Sequence, residues 1–113
     1  MKQTESQLVN QCLEYLALKK IFAKRINTVG IYDRKTGKYR LNPNTARGMS
    51  DIIAVINGRA IFIECKVGKN KQSDNQIVFA KEAVNAGAGY IVVYSLDDLI
   101  AFLTGYLTVY TKI

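Results

Sequence analysis

Three side chains carry the first chemical signal: Asp51, then Glu64 thirteen positions later, and Lys66 two beyond that. Between them stand two apolar, β-branched runs joined by Asn57-Gly58, a dipeptide suited to a two-residue type I′ hairpin turn. That turn sets the register, so Val55 should face Ala60, Ile53 should face Phe62, and Asp51 should face Glu64. Directly opposed residues share a face with Cβ atoms ~4.5–5.5 Å apart, and Lys66 falls on that same face. Two carboxylates so placed repel each other, and a divalent cation would offset the repulsion. Hard oxygen ligands suit Mg²⁺, which links protein carboxylates to a substrate phosphate. A lysine beside them could orient or deprotonate an attacking water and stabilise charge on pentacovalent phosphorus. The expected chemistry is phosphodiester hydrolysis. The alternative is a structural Glu64–Lys66 ion pair at a strand end, with Asp51 as a turn residue.

The composition leaves little room for other chemistries. The 113 residues include no histidine, which excludes a Ser-His-Asp triad, a Cys-His pair, a histidine general base and a His-ligated zinc site. That length implies one domain, residues 1–113, with a single core. Hydrophobic residues make up 49% and proline occurs once, which argues against disorder and low complexity. No apolar run approaches the ~20 residues of a membrane span, and the polar start is no secretory signal. Cys12 and Cys65 make no disulfide framework, so the expected home is a reducing compartment.

The net charge of +7 is concentrated. Residues 19–47 carry nine cations against Asp33 alone, whereas the segments on either side sum to −1 and zero. Such a patch attracts a polyanion and releases condensed counterions from each phosphate it neutralises. Tyr32 and Tyr39 within it could stack on unpaired bases. Lys24, Arg25, Arg34, Lys35, Lys38, Arg40 and Arg47 are therefore candidate nucleic-acid contacts, joined by Lys69 and Lys71 in a second basic loop. A solvated, solubilising surface is the plainer reading of the same charges.

The elements that would hold these residues follow from periodicity and punctuation. Thr4-Glu5-Ser6-Gln7 reads as a capping box, followed by apolar residues at helical spacing to about Lys20. Residues 22–29 alternate and fit a strand, and 30–45 reads as a turn or long loop with room for strand character at 39–41. After the hairpin, Ser73-Asp74-Asn75-Gln76 is a second capping box opening a helix that stops near Gly87. Residues 90–94 read as a buried strand, and Ser95–Asp98 as a third capping box before a helix stopping near Gly105. The tail, 106–113, alternates weakly and suits an edge strand. The expected architecture is α/β, with core order α-β-β-β-α-β, a closing helix, and a sheet flanked by helices.

Asp51, Glu64-Cys65-Lys66 and the hairpin between them resemble the PD-(D/E)XK nuclease motif. Glu5 in the first helix, Gly48-Met49-Ser50-Asp51, Ile63-Glu64-Cys65-Lys66 and Gln76 in the next helix are similar to the VRR-NUC branch, the virus-type replication-repair nucleases. The resemblance extends through Gly89–Val93 and Ser95–Asp98, covering roughly residues 4–104. Ser50 rather than proline precedes Asp51, a departure such families tolerate. The resemblance implies a restriction-endonuclease-like core with a mixed central sheet, and metal-dependent cleavage of DNA. It implies that Asp51 and Glu64 hold Mg²⁺, or Mn²⁺ in its place, with the Cys65 carbonyl helping. Lys66 would serve the nucleophilic water, Glu5 would complete or support the metal shell, and Gln76 would orient substrate or the lysine. Each of the last two has a plainer role: Glu5 favours its helix dipole, and Gln76 closes its capping box. The Cys65 side chain should point to the opposite face and pack as a small hydrophobe.

Stand-alone members of that family resemble junction-resolving enzymes acting as homodimers in bacteria or virus-infected cells. The resemblance therefore implies branched DNA as partner, such as Holliday junctions or flaps, a DNA-repair role and a cytoplasmic setting. Two other functions compete. A non-catalytic DNA-binding module would have lost Asp51, Glu64 or Lys66, and all three are present. A sequence-specific restriction-type enzyme needs extra elements to reach base edges, and only the 30–47 segment is on offer.

Overall fold

Thr4 opens the first helix, α1 (Glu5–Leu18), through a complete capping box. Its hydroxyl accepts from the Gln7 N–H, and the Gln7 side chain accepts from the Thr4 N–H. The computed structural model describes residues 2–26, 31–40 and 49–110. Leu8, Val9, Cys12 and Leu16 form the buried stripe of α1. The helix ends two residues before Lys20, which takes φ 59 while Ile21 N–H donates back to the Leu16 carbonyl. That left-handed closure is what stops it.

The chain then enters β1 (Phe22–Arg25), shorter than the alternation over 22–29 suggests; residues 27–29 lie outside the described residues. The segment read as a turn or long loop with room for a strand at 39–41 contains two strands, β2 (Ile31–Asp33) and β3 (Lys38–Arg40), paired antiparallel as a separate ribbon. Gly37 at φ 69 supplies the turn between them. Next come β4 (Ile52–Ile56), β5 (Arg59–Cys65), α2 (Asp74–Asn85), β6 (Gly89–Val93) and α3 (Leu96–Tyr110). The expected α-β-β-β-α-β core order is thus present with the ribbon of β2 and β3 inserted.

The main sheet has four strands in the order β1-β4-β5-β6. β4 runs antiparallel to both β1 and β5, whereas β6 returns parallel to β5 through α2, so the sheet is mixed. One face carries Ile52, Ala54, Ile56, Ile61, Ile63, Cys65 and Val93, buried against α1 and α3. Each such aliphatic side chain contributes about 1.5–3 kcal/mol when fully removed from water. The opposite face is covered over β5 and β6 by α2. There the Phe79 ring meets Phe62 edge-on at 5.1 Å and Tyr90 at 6.1 Å.

The tail is helical where an edge strand was expected. Gly105 does not stop α3, because Leu99, Leu103 and Tyr106 recur at helical spacing and are all buried. That packing outweighs the ~1 kcal/mol a mid-helix glycine costs. Residues 111–113 lie outside the described residues. No helix among the described residues is long and apolar enough to cross a membrane.

Candidate functional site

The hairpin has the register its turn dictates. Asn57 and Gly58 take φ 53 and 77, and Val55 pairs with Ala60, Ile53 with Phe62, and Ile56 with Arg59. Asp51 stands one residue before β4, where the buried Ser50 hydroxyl donates to the Ile52 carbonyl at 3.0 Å. From there Asp51 Oδ2 reaches across to β5 and accepts the Cys65 N–H at 2.8 Å. Glu64 and Lys66 alternate with Cys65, so their side chains lie on the face away from the core. Asp51, Glu64 and Lys66 are therefore brought together at one strand end.

Glu64 is the centre of the cluster and is only 3% exposed. Its Oε1 accepts from Gln76 Nε2 at 2.9 Å, and Lys66 Nζ stands 3.6 Å from the same oxygen. The second distance is too long for a strong hydrogen bond, so the lysine is an electrostatic neighbour with donors still to offer. The other oxygen, Oε2, is buried and has no hydrogen-bond partner. Burial first, then the Asp51 charge, push the Glu64 pKa from 4.5 up to about 8. Lys66 pulls it down, while the closeness of the Asp51 carboxyl and the charge of Glu5 add to the rise. Near neutral pH the site therefore favours a proton on Glu64 unless another positive charge replaces it.

Gln76 closes its capping box and also meets the Glu64 carboxylate, rather than the lysine. As the third residue of α2 its Oε1 accepts from the Ser73 N–H, closing a capping box, while its Nε2 donates to Glu64. The side chain is thus held at both ends. Glu5, in contrast, does not join the carboxylate pair. Its Oε2 accepts from Asn70 Nδ2 at 2.9 Å, which ties α1 to the loop after β5, and it reaches Glu64 only through its charge. Asn70 gave no signal in sequence, being one polar residue in a polar loop; its carbonyl also accepts from the Tyr94 hydroxyl. Cys65 packs in the core as a free, buried thiol beside the buried Cys12.

The basic residues divide by element. Lys24 and Arg25 are exposed on β1, Arg34, Lys35 and Lys38 are exposed around the β2–β3 turn, and Lys69 and Lys71 are exposed between β5 and α2. Arg40 ends β3, and Arg47 lies outside the described residues, as does Gly48. Lys69 and Lys71 lie in the short segment between Lys66 and the Ser73 cap. Asp98 at the start of α3 accepts from the Tyr94 N–H, with its own N–H on the Ser95 hydroxyl.

A divalent cation fits the donor set. Two hard carboxylates converge, one oxygen of Glu64 lacks any partner, and its raised pKa signals a place where positive charge is wanted. Among the described residues no three His, Cys, Asp or Glu side chains gather as a ready cage. A cation here would therefore draw its remaining ligands from backbone oxygen, water or substrate, a pattern usual for Mg²⁺. No protein-family model matches this chain. No curated protein matches it either.

Proposed function

We propose that this chain is a metal-dependent DNA endonuclease of the PD-(D/E)XK type, closest in motif to the VRR-NUC branch. The observation that carries the reading is the buried Glu64, one oxygen of which lacks a hydrogen-bond partner, close to the Asp51 charge and with Lys66 alongside.

Asp51 and Glu64 would hold Mg²⁺ or Mn²⁺, with the Cys65 carbonyl as a further oxygen. When bound, the cation would supply Lewis acidity and neutralise charge on the scissile phosphate. The chain's own residues would do the rest. Lys66 has free donors to orient the attacking water and to stabilise negative charge as it develops on phosphorus. Gln76, held by Ser73, keeps the Glu64 carboxylate in one orientation. Asp51 is held by the Cys65 N–H, so both carboxylates are positioned before substrate arrives. Lys69, Lys71 and the basic ribbon of β2 and β3 would meet the DNA backbone, which fixes register without reading bases.

The substrate proposed is branched DNA, such as a flap or four-way junction, handled by a homodimer whose twofold axis presents two sites to two strands. The test is a cleavage panel of duplex, single strand, flap, fork and four-way junction with Mg²⁺, Mn²⁺ or EDTA. Cleavage of a branched substrate with either cation and none in EDTA is expected. Failure to cut any member with either cation would overturn the proposal. Light scattering that returns a monomer with junction cleavage intact would remove the dimer.

A further inference from the structure

Beside the carboxylate cluster, α2 and β6 flank an open groove of about 510 Å³ that the hydrolytic chemistry does not use. Its volume falls in the ~300–1,000 Å³ range of small-ligand clefts, far more than an ion needs. Lys81, Val84 and Asn85 line the helical side, and Tyr90 and Val92 line the strand side, with Gln72 among the lining residues. Val84 is 51% exposed. The Tyr90 hydroxyl is buried, with the Gln72 amide beside it. Burial, opposed by that amide, pushes the phenol up to about 12, so it remains a donor.

The groove adjoins the proposed site. Val92 pairs with Glu64 and Tyr90 with Phe62 across the parallel ladder, all on one face. The groove wall therefore starts one strand spacing, ~4.8 Å, from the backbone of Glu64. Apolar walls and an aromatic ring suit the faces of a base, two amides suit its edge, and a lysine suits its phosphate.

We infer that this groove receives one unpaired nucleobase of the strand being cut, lodged between Val84 and the Tyr90–Val92 wall with its phosphate toward Lys81. The identity of the strand rests on the nuclease reading; the capacity to hold a base does not. A stacked duplex cannot present a base this way, so the groove would select single-stranded arms and unpaired junction nucleotides.

The test is fluorescence anisotropy of a labelled, short oligothymidylate in EDTA, where cleavage plays no part. Val84→Trp fills the groove from an exposed helical position, and Lys81→Glu reverses its charge; thermal unfolding checks that both variants fold. Each should weaken binding about tenfold, the scale of losing one stacked base. Parent-like affinity in the two folded variants would overturn the groove. Thymidine monophosphate competing as well as the oligonucleotide would overturn the substrate strand as occupant and point to a free nucleotide. If binding behaves as expected but the parent cuts nothing with Mg²⁺ or Mn²⁺, the groove stands and the nuclease reading falls.

Discussion

Glu64→Gln isolates what one proton does in this protein. The amide keeps an oxygen for the Gln76 donor and removes the charge that burial and Asp51 oppose. In the parent the folded-state pKa is raised from 4.5 to about 8, so between those values the folded state binds a proton that the unfolded state has released. Stability is then fully present below the lower pH and falls as pH rises through the upper one. At about 1.36 kcal/mol for each tenfold change in proton affinity, the ceiling on that loss is ~5 kcal/mol. A domain of this size has a total stability of about 5–15 kcal/mol, so half the ceiling would be plain in a denaturant titration. The assay is urea unfolding of both proteins in EDTA at about pH 5 and about pH 9, with the difference between them as the readout. The parent should match the variant at low pH and be the less stable by several kcal/mol at high pH. Added Mg²⁺ should restore the parent at high pH and leave the variant unmoved, because only the parent offers the cation two carboxylates. A parent as flat as the variant across that range would refute the buried, proton-hungry Glu64 on which the site depends.

Further consequences follow from the same geometry. Asp51→Ala and Lys66→Ala should each abolish cleavage while leaving DNA affinity within a few-fold of the parent in a gel-shift assay, since phosphate contact comes chiefly from other lysines and arginines. Gln76→Ala should cost about 1 kcal/mol through the broken cap and lower the cleavage rate as well, separating it from an ordinary capping residue. Gly89→Ala places a Cβ 2.6 Å from Ile61 Cδ1, so calorimetry should show a loss of about 1–3 kcal/mol from overpacking. Arg34→Ala and Lys38→Ala, both exposed at the ribbon turn, should each reduce the salt dependence of DNA binding by about one counterion.

Much of the site was legible in the residues alone because its decisive constraint is local. Asn57-Gly58 tolerates the left-handed backbone that a two-residue turn demands, and once that turn forms every pair along β4 and β5 follows. That register carries Glu64 to the strand end next to Asp51, which stands just before β4, outside the paired ladder, and is held there by the Cys65 N–H. The capping boxes at Thr4 and Ser73 are likewise short-range, so the starts of α1 and α2 could be read directly. So could the inward Cys65, through simple alternation along a strand.

What tertiary structure alone decided has a common physical origin, namely burial against elements distant in sequence. The depth of Glu64, and with it the raised pKa, depends on β6 docking parallel to β5 and on α2 lying over both. Gln76 could be seen as a cap, but its second bond needs Glu64 at the end of a strand twelve residues earlier. Glu5 looked equally fit for a cation or a helix dipole until the loop after β5 brought Asn70 to it. Weak alternation in the tail yields to helix because Leu99, Leu103 and Tyr106 find one apolar surface, something no local pattern announces. Turn geometry acts over a few residues and can be read along the chain; desolvation is set by the whole fold.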